Sequence, residues 1–306
     1  MLTAAVRDLH KAHGDKFDIA VETSCAPLWQ NNPYLSDFDA RAAGVQRIDC
    51  DYPLIHRSNS APYHFIHGFA QFLEQKLRVR IPLTEFKGDI HVSELERSWM
   101  SQVQEMGIQS PFWIVLAGGK YDYTAKWWSP AAYQAVVDHF RDRILFVQCG
   151  EKGHWHPPLR NVIDLIGKTD LRQFIRLVYH SIGVLCPVTF AMHAAAAVPA
   201  PPSRPRNRAC VVVAGGREPS QWEAYPHHRF LSNNGALRCC EHGGCWKSRC
   251  QPVGDGDRKD KEGLCDQPVQ IEGSLKIAKC MDMIKPADVI RAIESYYEGG
   301  VLTYCT

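Results

Sequence analysis

The stretch FWIVLAGGKYDYTAKWWSPAAYQAVVDHF, residues 112–140, decides the reading of the fold. It opens with an unbroken apolar run, turns at Gly118 and Gly119, and after Pro130 places apolar residues at helical spacing. A strand covered on both faces reads as such a run, and proline is favoured in the first turn of a helix. Working outward, the pattern repeats. ILFVQCG (144–150), VIDLIGKT (162–169), GVLCPVTF (183–190) and ACVVVAGG (209–216) are predicted strands. LRQFIRLVYHS (171–181), with Thr169 or Asp170 as its cap, and AMHAAAAV (191–198) are predicted helices, as is ADVIRAIESYYEG (287–299) near the end. Strands alternating with helices imply an α/β class with a parallel sheet between helical layers.

The front half is expected to be a second unit. A helix over 2–15 precedes predicted strands FDIAVET (17–23) and GVQRIDCDY (44–52), a turn at NNPYLSDFD (31–39) and a helix HFIHGFAQFLEQKL (64–77). The polar stretch 81–110 reads as an interdomain connection. A chain of 306 residues suits two domains of ~150 residues, here 1–108 and 109–306. PAPPSRPRNR (199–208) reads as a surface loop without function.

Composition narrows the function classes. Lys plus Arg total 35 against 33 Asp plus Glu, a net charge of +2. That balance supplies no field for nucleic acid or an anionic membrane. No apolar run reaches the ~18–20 residues of a membrane helix. Arg7 and Asp8 fall where a signal peptide would be apolar. The expectation is a cytoplasmic protein without a transmembrane segment, with homo-oligomerisation left open.

Three stretches carry candidate chemistry. GGKYDYTAKWWSP (118–130) lies between a strand and a helix, where parallel sheets bind ligands. Gly118 and Gly119 permit close backbone approach, Thr124 offers a hydroxyl, and Lys120 and Lys126 offer charge, a set suited to a diphosphate. The plainer reading is a solvated lysine turn above Trp127 and Trp128. CPVTFAMHAAAA (186–197) places Thr189 at a helix N-terminus and His193 one turn on. HRSNSAPYHFIHGF (56–69) offers His56, Arg57, Asn59 and Tyr63 as sugar or phosphate contacts. GEKGHWHPP (150–158) follows a strand, so His154, Trp155 or His156 can flank a nucleotide base.

Six of the twelve cysteines fall within 239–280. Without a secretory signal such a cluster reads as a metal site before a disulfide framework. Cys240, Cys245, Cys265 and Cys280 are the expected ligands of one tetrahedral Fe or Zn holding segment 236–285. Cys239 is expected to point away from its neighbour, and Cys250 to lead away from the site. With all four positions filled by protein, the ion would be structural, not catalytic.

The order strand, Thr124-x-Lys126-Trp127-Trp128-x-Pro130, helix, then strand, Thr189-x-x-x-His193-x-x-Ala-Ala, resembles the glycosyltransferase family of ADP-heptose:lipopolysaccharide heptosyltransferases. VVVAGGREP (211–219) and NNPYL (31–35) are similar to further family segments, so the resemblance covers about residues 1–235. It implies two facing Rossmann-like domains of glycosyltransferase-B type, with the nucleotide sugar held by the second and the acceptor by the first. Donor contacts would then be Gly118, Gly119, Thr124, Lys126, Trp127, Thr189, Met192 and His193, with Lys126 the catalytic cation. His56, Arg57, Asn59 and Tyr63 would lie on the acceptor side. An autotransporter branch of the family carries a four-cysteine iron site, which agrees in general with the cluster.

Two departures stand out. Val188 and Phe190 replace the family's Asp and Gly around Thr189. The family's first strand and Gly-x-Gly-Asp loop, which carries its acidic base, do not precede the first helix, so the first domain is expected to lack its start. Asp51, His56, His64, His67 and Asp89 stay open as substitutes. The leading expectation is transfer of a sugar, a heptose, from a nucleotide diphosphate sugar such as ADP-heptose to a hydroxyl of a glycan, lipid or protein. The alternative is a catalytically inactive nucleotide-sugar-fold scaffold or metal-binding subunit. A third class is an electron-transfer protein built on the cysteines.

Overall fold

The computed structural model describes residues 1–54, 57 and 59–304. Its centre is a six-stranded, wholly parallel sheet formed by β1 (Phe112–Val115), β2 (Leu145–Gln148), β3 (Ile163–Asp164), β4 (Gly183–Pro187), β5 (Ala209–Gly215) and β6 (His228–Ser232). The spatial order is β3-β2-β1-β4-β5-β6, so the order reverses between β1 and β4. Ligand crevices open at such a point, beyond the carboxyl ends of the strands.

Alternation along the strands divides the core into two layers. Trp113, Val115, Val211 and Val213 face one way, onto helices Pro130–His139 and Pro286–Glu298. Phe112, Ile114, Val212 and Ala214 face the other, onto Leu171–His180 and Phe190–Ala197. The apolar runs are read on both sides, which explains why they lack the polar alternation of a half-exposed strand. In chain order the helices are α1 (Leu2–His13), α2 (Phe65–Leu77), α3 (Glu94–Ser98), α4 (Gln102–Glu105), α5 (Pro130–His139), α6 (Leu171–His180), α7 (Phe190–Ala197), α8 (Ser220–Glu223), α9 (Lys279–Asp282) and α10 (Pro286–Glu298). Asp170, not Thr169, caps α6, and Gln173 completes a capping box.

The front of the chain differs from its sequence reading. Among the described residues before β1 there is no strand. The expected strands 17–23 and 44–52 run without a ladder, and Phe17, Ile19, Ile48 and Cys50 instead pack against the α1–α2 pair. An apolar run supplies burial to either structure, but a strand also needs a neighbour to take its backbone hydrogen bonds. Arg7 and Asp8, charges inside α1, are both buried. Thr84 donates to Asp8 at 2.5 Å, and Arg7 donates to the carbonyls of Glu85 and Lys87, so α1 is pinned to the connection.

The loop 199–208 is not an ornament. Arg208 is 5% exposed, and its five N–H groups reach the carbonyls of Tyr179, Ser181, Ala195, Val198 and Pro199 at 3.0–3.2 Å. One guanidinium thus closes the carboxyl ends of α6 and α7, where carbonyls lack partners and the helix dipoles favour a cation. Segment 236–285 carries a short antiparallel pair that the sequence reading lacked, β7 (Pro268–Gln270) with β8 (Lys276–Ala278). β6 was also unread. No described helix is long and apolar enough to cross a membrane.

Candidate functional site

The candidate site lies at the carboxyl edge of β1, β4 and β5. A 3-10 turn, Tyr121–Lys126, follows β1 and carries Lys126. Its Nζ lies 2.8 Å from Glu218 Oε1 and donates to the Val188 carbonyl at 3.4 Å. Arg217 pairs closely with Glu218 as well, and its guanidinium covers the Tyr123 ring, as Lys126 does. Glu223, on α8, is buried next to both cations and stands 3.6 Å from His193 Nε2. Nδ1 of His193 is 3.0 Å from the Tyr225 hydroxyl. Two basic and two acidic side chains therefore share one partly dry place. Burial and the neighbouring Arg217 hold Lys126 below the ordinary lysine value, at about 8. Burial raises Glu223, and Lys126 and Arg217 oppose that rise.

Of the residues gathered here, the sequence reading named Lys126 and His193 and did not name Glu218, Glu223 and Tyr225. The available signal was the repeated strand–Gly–Gly–cation unit, IVLAGGK (114–120) and VVVAGGR (211–217). Both units end at the same sheet edge, which sets Arg217 beside Lys126.

Other candidate residues have specific local tasks. At Gly118, φ is +124° and a side chain would collide with the Trp155 carbonyl. Gly119 exchanges backbone hydrogen bonds with Trp155 at 2.8 and 3.1 Å. The close approach expected of a phosphate is taken by the 150–158 loop. Trp127 is buried and stacks on Trp155, with centroids 4.1 Å apart. Thr124 Oγ1 accepts from the Cys250 N–H at 2.9 Å, and Thr189 caps α7 by accepting from Ala191 N at 3.3 Å. Met192 is fully buried in the core and offers no face to a ligand here. Asn59 exchanges hydrogen bonds with the Gly244 backbone at 3.0 and 3.2 Å, while Arg57 is exposed and Tyr63 packs near Trp222. His56 lies outside the described residues.

Cys239, Cys240, Cys245, Cys265 and Cys280 line one cavity of about 10 Å³, room for one water-sized sphere. Gly216 makes the approach possible, because a side chain there would press on the Cys240 sulfur. Two expectations change. Cys239 faces the same cavity as Cys240, and Cys250 is buried with its thiol donating to the Thr124 carbonyl at 3.8 Å. Every described cysteine is a free thiol. Thiols converging on one space suit a soft ion in donor type. Among the described residues, however, no three His, Cys, Asp or Glu side chains stand in an arrangement that could hold a metal.

Burial holds His64, His193 and His228 at about 3, against an ordinary 6.5; nearby positive charge adds to this for His193, chiefly the Met1 amino group and Lys126. The unfolded chain protonates these rings near 6.5 and the folded chain resists until about 3. Unfolding therefore takes up protons between those values, so stability is full above about 6.5 and declines as pH falls toward 3. The melting temperature is expected to drop steadily between about pH 6.5 and 4, and His64→Asn, which keeps the α2 cap, to flatten that slope. A melting temperature unchanged down to about pH 5 would contradict the neutral, buried rings.

No protein-family model matches the chain, and no curated protein matches it in sequence. Solved structures do. The glycosyl transferase family 9 from Veillonella parvula DSM 2008 superposes over 78% of this chain and 62% of its own, at 15% identity and a TM-score of 0.50. The ADP-heptose LPS heptosyltransferase II of E. coli gives 78% and 63% coverage, 14% identity and 0.48. The iron-containing dodecameric glycosyltransferase TibC from enterotoxigenic E. coli H10407 gives 78% and 54%, 16% identity and 0.47. The chain spans less than two thirds of the length of each. At such identity the likeness is one of fold alone, shared with the glycosyl transferase family 9 structure.

Proposed function

We propose that the chain is a glycosyltransferase that moves a sugar, a heptose, from a nucleotide diphosphate sugar such as ADP-heptose to an acceptor hydroxyl. The observation that carries this reading is Lys126 at the carboxyl edge of the parallel sheet, beside Arg217 and before the N-terminus of α7. In the reaction the acceptor oxygen attacks the anomeric carbon, a carboxylate or imidazole takes its proton, and the bond to the diphosphate oxygen breaks. Charge builds on the departing diphosphate, where Lys126 and the α7 N-terminus are aimed. Residues 109–306 would bind the donor and residues 1–108 the acceptor. Cys240, Cys245, Cys265 and Cys280, which line one cavity but do not stand at metal-holding geometry, would have to draw together to hold one structural Fe or Zn, adding to the stability of segment 236–285.

The inactive scaffold is supported by one observation. Lys126 already holds Glu218, and Thr124 already accepts from Cys250, so a diphosphate must displace partners. One preparation separates the readings. Elemental analysis is expected to give one Fe or Zn per chain, and calorimetry a nucleoside diphosphate affinity with ADP-heptose turned over. Binding without turnover selects the scaffold. Neither binding nor turnover refutes the nucleotide-sugar reading, and a metal-free folded chain refutes the ion.

A further inference from the structure

We infer that Arg249 is a positioning residue for Lys126, acting through Asp122, and that residues 246–250 are a strap joining the two charged turns of the site. The inference rests on the reading of Lys126 as the diphosphate cation. Arg249 is fully buried, 0% exposed, although charged side chains are almost never fully buried unless paired. Its guanidinium reaches three carboxylates: Asp122 at 3.3 Å, Asp255 at 2.6 and 2.8 Å, and Asp260 in closer contact. Asp260 also accepts from Val253 N and Gly254 N, so the 253–260 loop is wound around Arg249. Asp122 does not belong to that loop. It lies four residues before Lys126, in the same 3-10 turn.

The backbone repeats the connection. Ala125 N donates to the Ser248 carbonyl at 3.0 Å, and Cys250 N donates to Thr124 Oγ1 at 2.9 Å. On the other side Trp246 N donates to the Arg217 carbonyl at 3.2 Å, and Arg217 Nε to the Lys247 carbonyl at 2.5 Å. Residues 246 and 247 therefore grip the turn of Arg217 and Glu218, and residues 248–250 grip that of Lys126. Neither turn is a regular helix that could hold its own shape. A 3-10 turn with a non-helical residue inside, as at Tyr123, needs an external hold to keep a cation in register. A guanidinium fork fixed by two carboxylates of one loop and aimed at a third provides it.

Asp122→Asn tests this with little threat to the fold, because Arg249 keeps Asp255 and Asp260. Two readouts are taken on the full chain. One is ADP affinity by calorimetry, expected to weaken roughly tenfold, the scale of one charge-assisted hydrogen bond. The other is the pH midpoint for labelling of Lys126 by trinitrobenzenesulfonate, read on its peptide by mass spectrometry. Arg217, Glu218, Glu223, Tyr123 and His193 face or adjoin this ammonium and are untouched. Removing a negative charge alone would lower the midpoint, whereas loosening the turn wets Lys126 and raises it from about 8 toward 10.5. A rise, reproduced in Arg249→Lys, supports the inference. An unchanged or lowered midpoint overturns it, whatever the ADP result. A parent chain that binds no ADP refutes the diphosphate reading, and the labelling midpoint still decides the positioning.

Discussion

Lys126→Ala is expected to weaken ADP binding by roughly 10²-fold while leaving the melting temperature within a few degrees of the parent. The two effects separate because of what surrounds the ammonium. Glu218, its partner at 2.8 Å, also holds Arg217, so removing Lys126 does not strand a buried carboxylate. Loss of one partner of a buried pair is severe where the other is left alone. Here the damage falls on the ligand. Without Lys126, Glu218 and Glu223 face an incoming diphosphate with one cation fewer, and like charges repel. Lys126→Arg should recover only part of the affinity, since a planar fork does not replace a compact ammonium between Glu218 and the Val188 carbonyl. Equal ADP affinity in Lys126→Ala and the parent would remove Lys126 from the site.

The largest stability effect is expected at Arg208. Arg208→Met should cost about 3 kcal/mol and lower the melting temperature by roughly 5–10 °C. Methionine fills most of the volume but donates nothing, so the carbonyls at 179, 181, 195, 198 and 199 lose their shared donor. Burial lowers the Arg208 guanidinium to about 9, which marks how far it is withdrawn from water. Arg208→Lys should fall between, because an ammonium cannot reach five carbonyls in a fork. Arg206→Met is the control. Arg206 is exposed and pairs with Glu85 on the surface, so its loss should be nearly silent. A parent-like melt for Arg208→Met would show that water serves those carbonyls equally well.

Most of the second half of the fold is legible in the order of residues alone. Five of the six strands and α5, α6, α7 and α10 follow from apolar runs and helical spacing, because a parallel sheet buried on both faces imposes that pattern on each strand locally. The residue order also placed Lys126 and His193 at the carboxyl edge of the sheet, since the strand–turn–helix order fixes which end of a strand a loop belongs to. β6 escaped because HRFLS, with His228 buried and Arg229 exposed, mixes polar and apolar residues as an edge strand does. The front half was misread at 17–23 and 44–52, where the same apolar signal led to packing on helices, not to a ladder.

The partners of the charges emerge only in the folded chain. Glu218 is 92 residues from Lys126, and Glu223 lies 30 residues beyond His193; no periodicity links them. They meet because β1, β4 and β5 are neighbours in the sheet, and strand order is set by packing of the whole molecule. The same holds for Arg208, which lies in a loop read as surface, and for Arg249, in an aspartate-rich loop; both are buried. A charge enters the interior only where enough acceptors converge, and convergence is a property of the folded chain alone. The cysteines show both sides of the division. Their crowding into 239–280 was legible, but which thiols face one cavity depends on the folded chain, where Gly216 leaves room for the Cys240 sulfur.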